Sequence, residues 1–228
     1  QNWDGKIKYI TKTGQFKIGL IPSVYKRCIE LGIKPIIVDM RQPLPKVSKV
    51  VTQIGKYKLR PEQEKAVKAI LSNKLGETPF QIGVLDYTVN AGKTLIMSAL
   101  YLSYKKQLKT LLITNDSDWL NQARDEFKQY LPGEDITFVQ GKVLNWSNFT
   151  IGMVQSISRN MRYYQNELAK IDMVLIDEAD QGGSKQYQNV ITRLFNTRVR
   201  IGLSGTIYMS KLAKDKVKNM NLRCFFGD

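Results

Sequence analysis

The stretch MVLIDEAD, from Met173 to Asp180, decides the fold that this sequence predicts. Four apolar residues followed by two acids indicate a buried strand that ends in Asp177 and Glu178. Because ligands of open α/β sheets bind at the carboxyl ends of the strands, both acids are candidate site residues. Asp177 would hold a Mg²⁺ ion, and Glu178 would orient and deprotonate an attacking water. The alternative is a strand that ends in a solvated acidic turn.

A second stretch, DYTVNAGKT from Asp86 to Thr94, lies between an apolar strand pattern and a helical pattern. Backbone N–H groups at a helix start favour anions, so a triphosphate can dock there. We expect Lys93 to neutralise the phosphates and the Thr94 hydroxyl to bind Mg²⁺. The loop would bind the phosphates through Asn90, Ala91 and Gly92. Tyr87 stands where the full pattern has its first glycine, and a lysine on a surface helix is the alternative.

The composition excludes several other kinds of site. The chain of 228 residues contains no histidine, which excludes histidine bases, Ser-His-Asp triads and most transition-metal sites. Its two cysteines, Cys28 and Cys224, form no CxxC pair, and a reducing cytoplasm fits them best. No apolar run approaches the roughly 20 residues that cross a bilayer, so we expect no membrane span.

The positive charge is concentrated near the N-terminus. Residues 1–58 carry twelve basic and three acidic side chains, within a formal net charge of +15 for the whole chain. Such a segment favours a phosphate-rich polymer as partner, although general solubility is the alternative.

The first forty residues predict a β-β-α-β unit. Its strands are expected at 6–10, 15–19 and 34–38, and its helix from Pro22 to about Leu31, where Gly32 would end it. Lys6 and Lys8 would share one strand face that suits a phosphate backbone. We therefore expect a basic, DNA-binding α+β accessory domain over residues 1–42 and a linker over 43–56.

After residue 57 the pattern alternates between strands and helices, which predicts an α/β domain with a doubly wound, largely parallel sheet. The expected helices are 61–75, 92–105, 118–130 and 185–195. The expected strands are 81–85, 110–114, 136–139, 150–154, 173–176 and 199–203.

Residues 177–180 and 91–94 resemble motifs II and I of superfamily 2 helicases and translocases, although the phosphate loop departs at two positions. The resemblance implies a RecA-like P-loop NTPase domain over 57–228, with ATP and Mg²⁺ as cofactors. Residues 59–63, LRPEQ, resemble the glutamine motif of that superfamily. Gln63 and Arg60 would then read the adenine while Tyr57 stacks on it; a surface glutamine at the start of a helix is the alternative.

Three further segments extend the resemblance. Residues 203–206, LSGT, resemble motif III, in which Ser204 and Thr206 would bond to Asp180 and relay the nucleotide state; an ordinary Ser-Gly turn is the alternative. Residues 113–122 and 151–157 occupy the places of two loops that hold DNA phosphates in the family. The resemblance assigns that role to Asn115, Gln155, Ser156 and the following Arg159.

The N-terminal pattern, beginning Asn-Trp-Asp-Gly at residues 2–5, is similar to the accessory domain of phage UvsW-like helicases, which remodel DNA junctions. The resemblance implies a monomer that acts on branched or single-stranded DNA in the cytoplasm of an infected host. Motors of this family need a second RecA-like domain, and the sequence stops about twenty residues after Thr206. We therefore expect a cut chain that binds nucleotide but hydrolyses little. The alternatives are a restriction-complex motor and a nucleic-acid-binding module that no longer hydrolyses ATP.

Overall fold

The computed structural model describes residues 8–87, 92–140, 146–205 and 213–227. Four predicted site residues lie outside this part: Lys6, Asn90, Ala91 and Thr206. In chain order the described elements are a 3-10 helix Ile18–Leu20, α1 Ile21–Glu30, β1 Gln53–Ile54, β2 Tyr57–Lys58, α2 Pro61–Ser72, β3 Lys74–Leu75, β4 Thr78–Pro79, β5 Ile82–Asp86, α3 Lys93–Ser103, β6 Thr110–Thr114, α4 Ser117–Tyr130, β7 Ile136–Val139, β8 Phe149–Met153, α5 Val154–Arg159, α6 Met161–Ala169, β9 Met173–Asp177, a second 3-10 helix Ala179–Gly183, α7 Lys185–Ile191, β10 Val199–Ser204 and α8 Ala213–Phe226.

The predicted parallel sheet is confirmed, and its strand order places the site. Six strands pair in the order β5-β10-β9-β6-β8-β7, and every pairing is parallel. β10 therefore lies between β5, which leads into the phosphate loop, and β9, which carries the acids. Leu203 of β10 is opposite both Leu85 and Asp177. This register brings the carboxyl ends of all three strands to one edge.

The alternation of side chains along the strands builds a core on each face of the sheet. Leu112 and Leu175 belong to the core that α2, α3 and α4 cover, whereas Ile113 and Ile176 belong to the core under α5 to α8. Helix α3 lies between the sheet and neighbouring helices, and nearly all of its residues are buried. The helix that follows the phosphate loop is therefore held rigidly.

The predicted helices are present with shifted ends. The helix expected over 61–75 ends at Ser72, because Lys74–Leu75 pair with Thr78–Pro79 in a hairpin. The helix expected over 185–195 ends at Ile191. Val154 begins α5 rather than ending a strand, and α5, α6 and α8 were not predicted.

The predicted N-terminal β-β-α-β unit is wrong in its strands. Among the described residues of the two expected hairpin strands, one isolated bridge joins Ile10 and Phe16, and Lys8 belongs to no described strand. Residues 34–38 form no strand either: Pro35 lacks a backbone N–H, and no described strand pairs with this segment. The helix is confirmed, and Gly32 follows it with φ of +73°, the left-handed conformation that was expected.

The N-terminal segment packs directly on the larger domain. Leu20 is buried, and a Cβ on Gly19 would lie 2.1 Å from the Arg223 carbonyl oxygen at the end of α8. Asp39 pairs with Arg41 at 2.7 Å and with Arg198 at 3.3 Å, and Arg198 donates to the Gln42 carbonyl. These contacts join the segment to the amino end of β10.

The predicted linker also lies against the domain. Several of its apolar side chains pack on the core of α2 to α4: Leu44, Val47, Val50 and Val51. Ile54 is buried in that core and belongs to the β1–β2 hairpin, which crosses the expected boundary at residue 57. The division into domains stays a prediction. Among the described residues, no helix has the length and apolar character needed to cross a membrane.

Candidate functional site

Lys93 meets the two acids at the shared edge of the sheet. Its Nζ lies 3.3 Å from Oδ1 of Asp177 and 3.2 Å from Oε1 of Glu178. Lys93 and Asp177 are buried, at 8% and 2% exposure, whereas the Glu178 side chain is 36% exposed. A buried charge requires a partner, so the cation and the acids neutralise one another here. The three residues singled out as catalytic are therefore neighbours.

The backbone at Glu178 is strained. Glu178 has φ of 50° and ψ of 52°, a left-handed conformation that costs a non-glycine residue on the order of 1 kcal/mol or more. The turn directs the chain from β9 into the 3-10 helix Ala179–Gly183. Strain of this kind persists where the surrounding structure enforces it, and it clusters at functional sites.

Burial makes Asp177 an unusual aspartate. Loss of solvent raises its pKa above the ordinary value, and the negative charge of Glu178 raises it further, while the Lys93 ammonium opposes both. The carboxylate therefore depends on a nearby cation for its charge. Either the lysine or a bound metal ion can supply that cation.

The start of the phosphate loop is held by α2. Gly92 has φ of +74°, and a Cβ there would lie 2.5 Å from Nε2 of Gln63, so only glycine fits. Gln63 is buried, and its Oε1 accepts from the Arg60 backbone N–H at 2.9 Å. The hydroxyl of Tyr87 donates to the Glu62 carbonyl at 2.7 Å. The residue that replaces the first glycine of the pattern therefore tethers the loop to α2.

A cavity of about 250 Å³ opens beside these residues. Gly92, Lys93, Thr94, Asp177 and Glu178 line one side of it. The other side is a face of α4 that the sequence reasoning missed: Trp119, Gln122, Glu126 and Tyr130. Their spacing of three or four residues is the helical signal that would have found them, had α4 been placed against the loop.

The three residues that were predicted to bind the adenine have different surroundings. Gln63 contacts the phosphate loop, as described above. Arg60 is exposed and pairs with Glu62 at 2.8 Å. Tyr57 lies edge-on to Tyr130 of the cavity, with ring centroids 5.0 Å apart, and donates to Gln129 at 2.9 Å. Tyr57 therefore reaches the cavity through another ring.

The contact expected between motifs II and III is present. The Ser204 hydroxyl donates to Oδ1 of Asp180 at 3.2 Å, and both residues are buried. Gly202 permits this approach, because a Cβ there would lie 2.7 Å from Cβ of Ala179. The 3-10 helix can therefore lie directly on β10.

Most of the predicted DNA-binding residues lie at the same edge, one or two strands away from the acids. Asn115 follows β6, and Gln155 and Ser156 lie in α5 directly after β8. Gln155 donates through Nε2 to the Asn115 carbonyl at 3.3 Å, and Arg159 is exposed at the end of α5. The exposed Lys8 belongs to the N-terminal segment, so the site does not include it.

The donor set fits a magnesium–triphosphate complex. No group of three or more His, Cys, Asp or Glu side chains in the described ranges could hold a metal ion by itself. Mg²⁺ prefers one or two carboxylates together with phosphate oxygens and water. Thr94 and Asp177 line the same cavity as Lys93, so a hydroxyl, a carboxylate and a phosphate-binding cation converge there.

Comparison with known proteins identifies the family. Residues 56–209 match the model of the res subunit of type III restriction enzymes, over more than half of the chain. The chain belongs to this family. Membership of this family implies the use of a nucleotide. The prediction of a superfamily 2 helicase domain is therefore confirmed at the level of the family.

Individual relatives agree with the family. The ATP-dependent DNA helicase uvsW of enterobacteria phage T4 is 24% identical over 227 residues, covering 90% of this chain and 43% of that protein. A second relative is L396 of Acanthamoeba polyphaga mimivirus, which is named as an ATP-dependent RNA helicase. It is 26% identical over 147 residues, which cover 64% of this chain and 27% of that protein. The chain thus spans less than half the length of these relatives.

A crystal structure of T4 UvsW superimposes with a TM-score of 0.74 over 99% of this chain and 47% of that one, at 23% identity. The RecA-like fold that was expected is confirmed by this likeness. The likeness includes the N-terminal segment as well as the sheet.

Proposed function

We propose that this chain is the first motor domain of an ATP-dependent DNA helicase that acts on branched DNA, preceded by an accessory segment. The observation that carries the proposal is the contact of Lys93 with both Asp177 and Glu178. Helicase names among the relatives support the activity, and the likeness to UvsW over 99% of the chain supports the choice of phage type.

In the proposed mechanism the buried lysine exchanges partners. Lys93 would turn from the acids to the β and γ phosphates, while Thr94 and Asp177 would hold Mg²⁺. Bound ATP would supply the γ-phosphoryl group that is transferred to water. Glu178, released from Lys93 and partly exposed, would orient the attacking water and accept its proton. The exposure of Glu178 supports this role, because water can reach its carboxylate, whereas that of Asp177 is buried.

The nucleotide site would be coupled to the DNA-binding loops through contacts along the edge of the sheet. Asp180 and Ser204 connect the acid-bearing turn to β10, and α7 packs between that turn and α5. Gln155, Ser156 and Arg159 of α5, with Asn115, would contact DNA phosphates. A change at the acids can therefore reach the proposed DNA-binding loops through packed elements.

One alternative has specific support. A motor of a restriction complex is favoured by the family's own name, which is that of a restriction subunit. Residues 1–55 lie outside that match, whereas the likeness to UvsW includes them. We therefore prefer the helicase. The monomeric state and cytoplasmic location stay predictions.

Titration with a fluorescent ATP analogue and Mg²⁺ tests the nucleotide site. Lys93→Ala should weaken binding by about 10- to 100-fold, because charge-assisted hydrogen bonds to phosphate contribute about 1.5–3 kcal/mol. Lys109→Ala is the matched control: Lys109 is also ion-paired and mostly buried, but it precedes β6 at the opposite edge. Equal binding by wild type and Lys93→Ala would refute the nucleotide site.

The salt dependence of DNA binding tests the accessory segment. Lys8→Ala should reduce the slope of log affinity against log salt by about one, because one counterion fewer is released. Lys74→Ala, an exposed lysine in the β3–β4 hairpin, should leave the slope unchanged. Identical slopes for wild type, Lys8→Ala and Lys74→Ala would contradict DNA binding by this segment and favour a role of its charge in solubility.

A further inference from the structure

A cavity of about 240 Å³ lies where the N-terminal segment meets the larger domain. It is enclosed by the start of the first 3-10 helix, the chain that joins α7 to β10, and the end of α8. Most of its walls are apolar: Phe16, Ile18, Ile191, Leu194, Phe195 and Phe225. Two cations, Lys17 and Arg200, also line it, and none of its described lining residues is acidic. The cavity is therefore apolar and positively charged.

Arg200 is buried without an acidic partner. The residue is 7% exposed, and none of the described residues forms an ion pair with it. Its neighbours Arg41 and Arg198, by contrast, both pair with Asp39. Burial lowers the pKa of Arg200 to about 10, and the charge of Arg41 lowers it as well, so the guanidinium stays charged at neutral pH. Arginines are almost never fully buried unless they are paired, because an uncompensated buried charge is costly.

The guanidinium of Arg200 is the part of the residue that reaches the cavity. Its backbone lies inside the sheet, where it pairs with Ile82 of β5 and Val174 of β9. Nη2 donates at 2.6 Å to the carbonyl oxygen of Leu194, which is itself a residue of the cavity wall. Nε has a long bond of 3.5 Å to the Thr197 carbonyl. Nη1 donates to none of the described residues and is not shielded from solvent. A donor of this buried cation therefore stays available at the cavity.

We propose that the cavity binds a small organic anion, whose carboxylate pairs with Arg200 and whose apolar body lies against the surrounding apolar side chains. The walls favour such an ion over inorganic phosphate, which has no apolar part to bury and brings more charge into the cavity. The volume is below the roughly 300–1,000 Å³ of most pockets for drug-sized ligands, which suits a single ring system. Arg200 precedes Ser204 by four residues, or about 13 Å along β10, so this site is separate from the nucleotide site.

Isothermal titration with naphthoate and with its neutral amide, naphthamide, tests the ion pair. Wild type should bind the carboxylate about 10- to 100-fold more tightly than the amide, because hydrogen bonds between charged groups are the strong ones. Arg200→Met keeps much of the side-chain volume and removes the charge. It should therefore bind the two probes with similar affinity.

Thr192→Trp tests the location of the site without changing Arg200. Thr192 is exposed and lines the cavity, so a large ring at this position should obstruct the opening and abolish naphthoate binding. Arg193→Trp is the matched control, because Arg193 is equally exposed but is not a lining residue. It should bind naphthoate like wild type.

Several results would overturn the inference. Wild type that does not distinguish naphthoate from naphthamide, or Arg200→Met that still does, would show that no ion pair forms. Equal binding by Thr192→Trp and Arg193→Trp would place the probe elsewhere, and this comparison decides alone if Arg200→Met does not fold. Displacement of naphthoate by an equal concentration of inorganic phosphate would show a site for charge only. None of these results depends on Lys93, so the proposed function is judged separately.

Discussion

The carboxyl edge of the sheet and the N-terminal segment (residues 8–42) differ in how their side chains are held. At the edge, Asp177 is 2% exposed and paired with a lysine that is itself buried. In the segment, Ile36 and Met40 are 86% and 89% exposed, and the described backbone from 34 to 38 belongs to no sheet. The first region is fixed by strand register across three strands, whereas the second is attached through a few contacts.

This difference separates residues that act together from residues that act singly. At the edge, a change in one side chain alters the charge balance or the packing of its neighbours. In the segment, most basic side chains face solvent singly; the exceptions are Arg41 in the Asp39 cluster and Arg27, which pairs with Glu30 at the surface. Substitutions should therefore have large, coupled effects at the edge and small, independent effects in the segment.

The largest effect is expected at Asp177. Asp177→Asn should reduce the gain in nucleotide affinity that Mg²⁺ provides by about 100-fold, because a neutral amide is a poor ligand for a hard cation. Isothermal titration with and without Mg²⁺ measures that gain. Asp172→Asn is the control, since Asp172 precedes the same strand and accepts from the Lys109 backbone N–H at the other edge. Equal losses for the two variants would contradict a specific metal ligand at position 177.

A smaller effect is expected from overpacking the edge. Gly202→Ala places a Cβ 2.7 Å from that of Ala179, so the 3-10 helix must shift, and the free energy of unfolding should fall by about 1–3 kcal/mol. Gly83→Ala on β5 is the control, because a Cβ there meets nothing within 4 Å. Urea unfolding measures both. If Gly202→Ala is as stable as Gly83→Ala, the 3-10 helix is not packed tightly against β10.

The smallest effect is expected where the segment joins the domain. Hydrogen bonding from Arg41 lowers the pKa of Asp39, helped by the charges of Arg41 and Arg198. The group therefore stabilises the fold above about pH 4 and loses that contribution as the pH falls through its lowered pKa. Asp39→Asn should lower the free energy of unfolding by about 1 kcal/mol at pH 7, and its difference from wild type should shrink as the pH falls below about 4. A stability difference that is constant with pH would contradict the ion pair. Glu30→Gln, in an exposed pair with Arg27, should change little.

The sequence predicted the six parallel strands well because each is a short apolar run bounded by turn residues. The positions of Lys93, Asp177 and Glu178 followed from the rule that parallel strands end at a common edge. The β strand expected over 34–38 failed because apolar β-branched residues make a strand only when a neighbour offers backbone partners. Helices α5 and α6 were missed because the residues after β8 were interpreted as a loop.

Other parts of the site depended on tertiary contacts that no local pattern encodes. The cavity-lining face of α4 is visible as a helical stripe, but its direction toward Lys93 depends on how α3 and α4 pack. Tyr87 looked like a defect in the phosphate loop until its contact with the Glu62 carbonyl was known.

The central claim is that Lys93 and the acid pair share one magnesium–triphosphate complex at this edge. A crystal structure with a non-hydrolysable ATP analogue and Mg²⁺ tests it most directly. The account predicts that Lys93 Nζ contacts the β or γ phosphate, and that the metal ion lies between Thr94 and Asp177. A triphosphate bound elsewhere, with Lys93 still 3.2–3.3 Å from both acids, would contradict it.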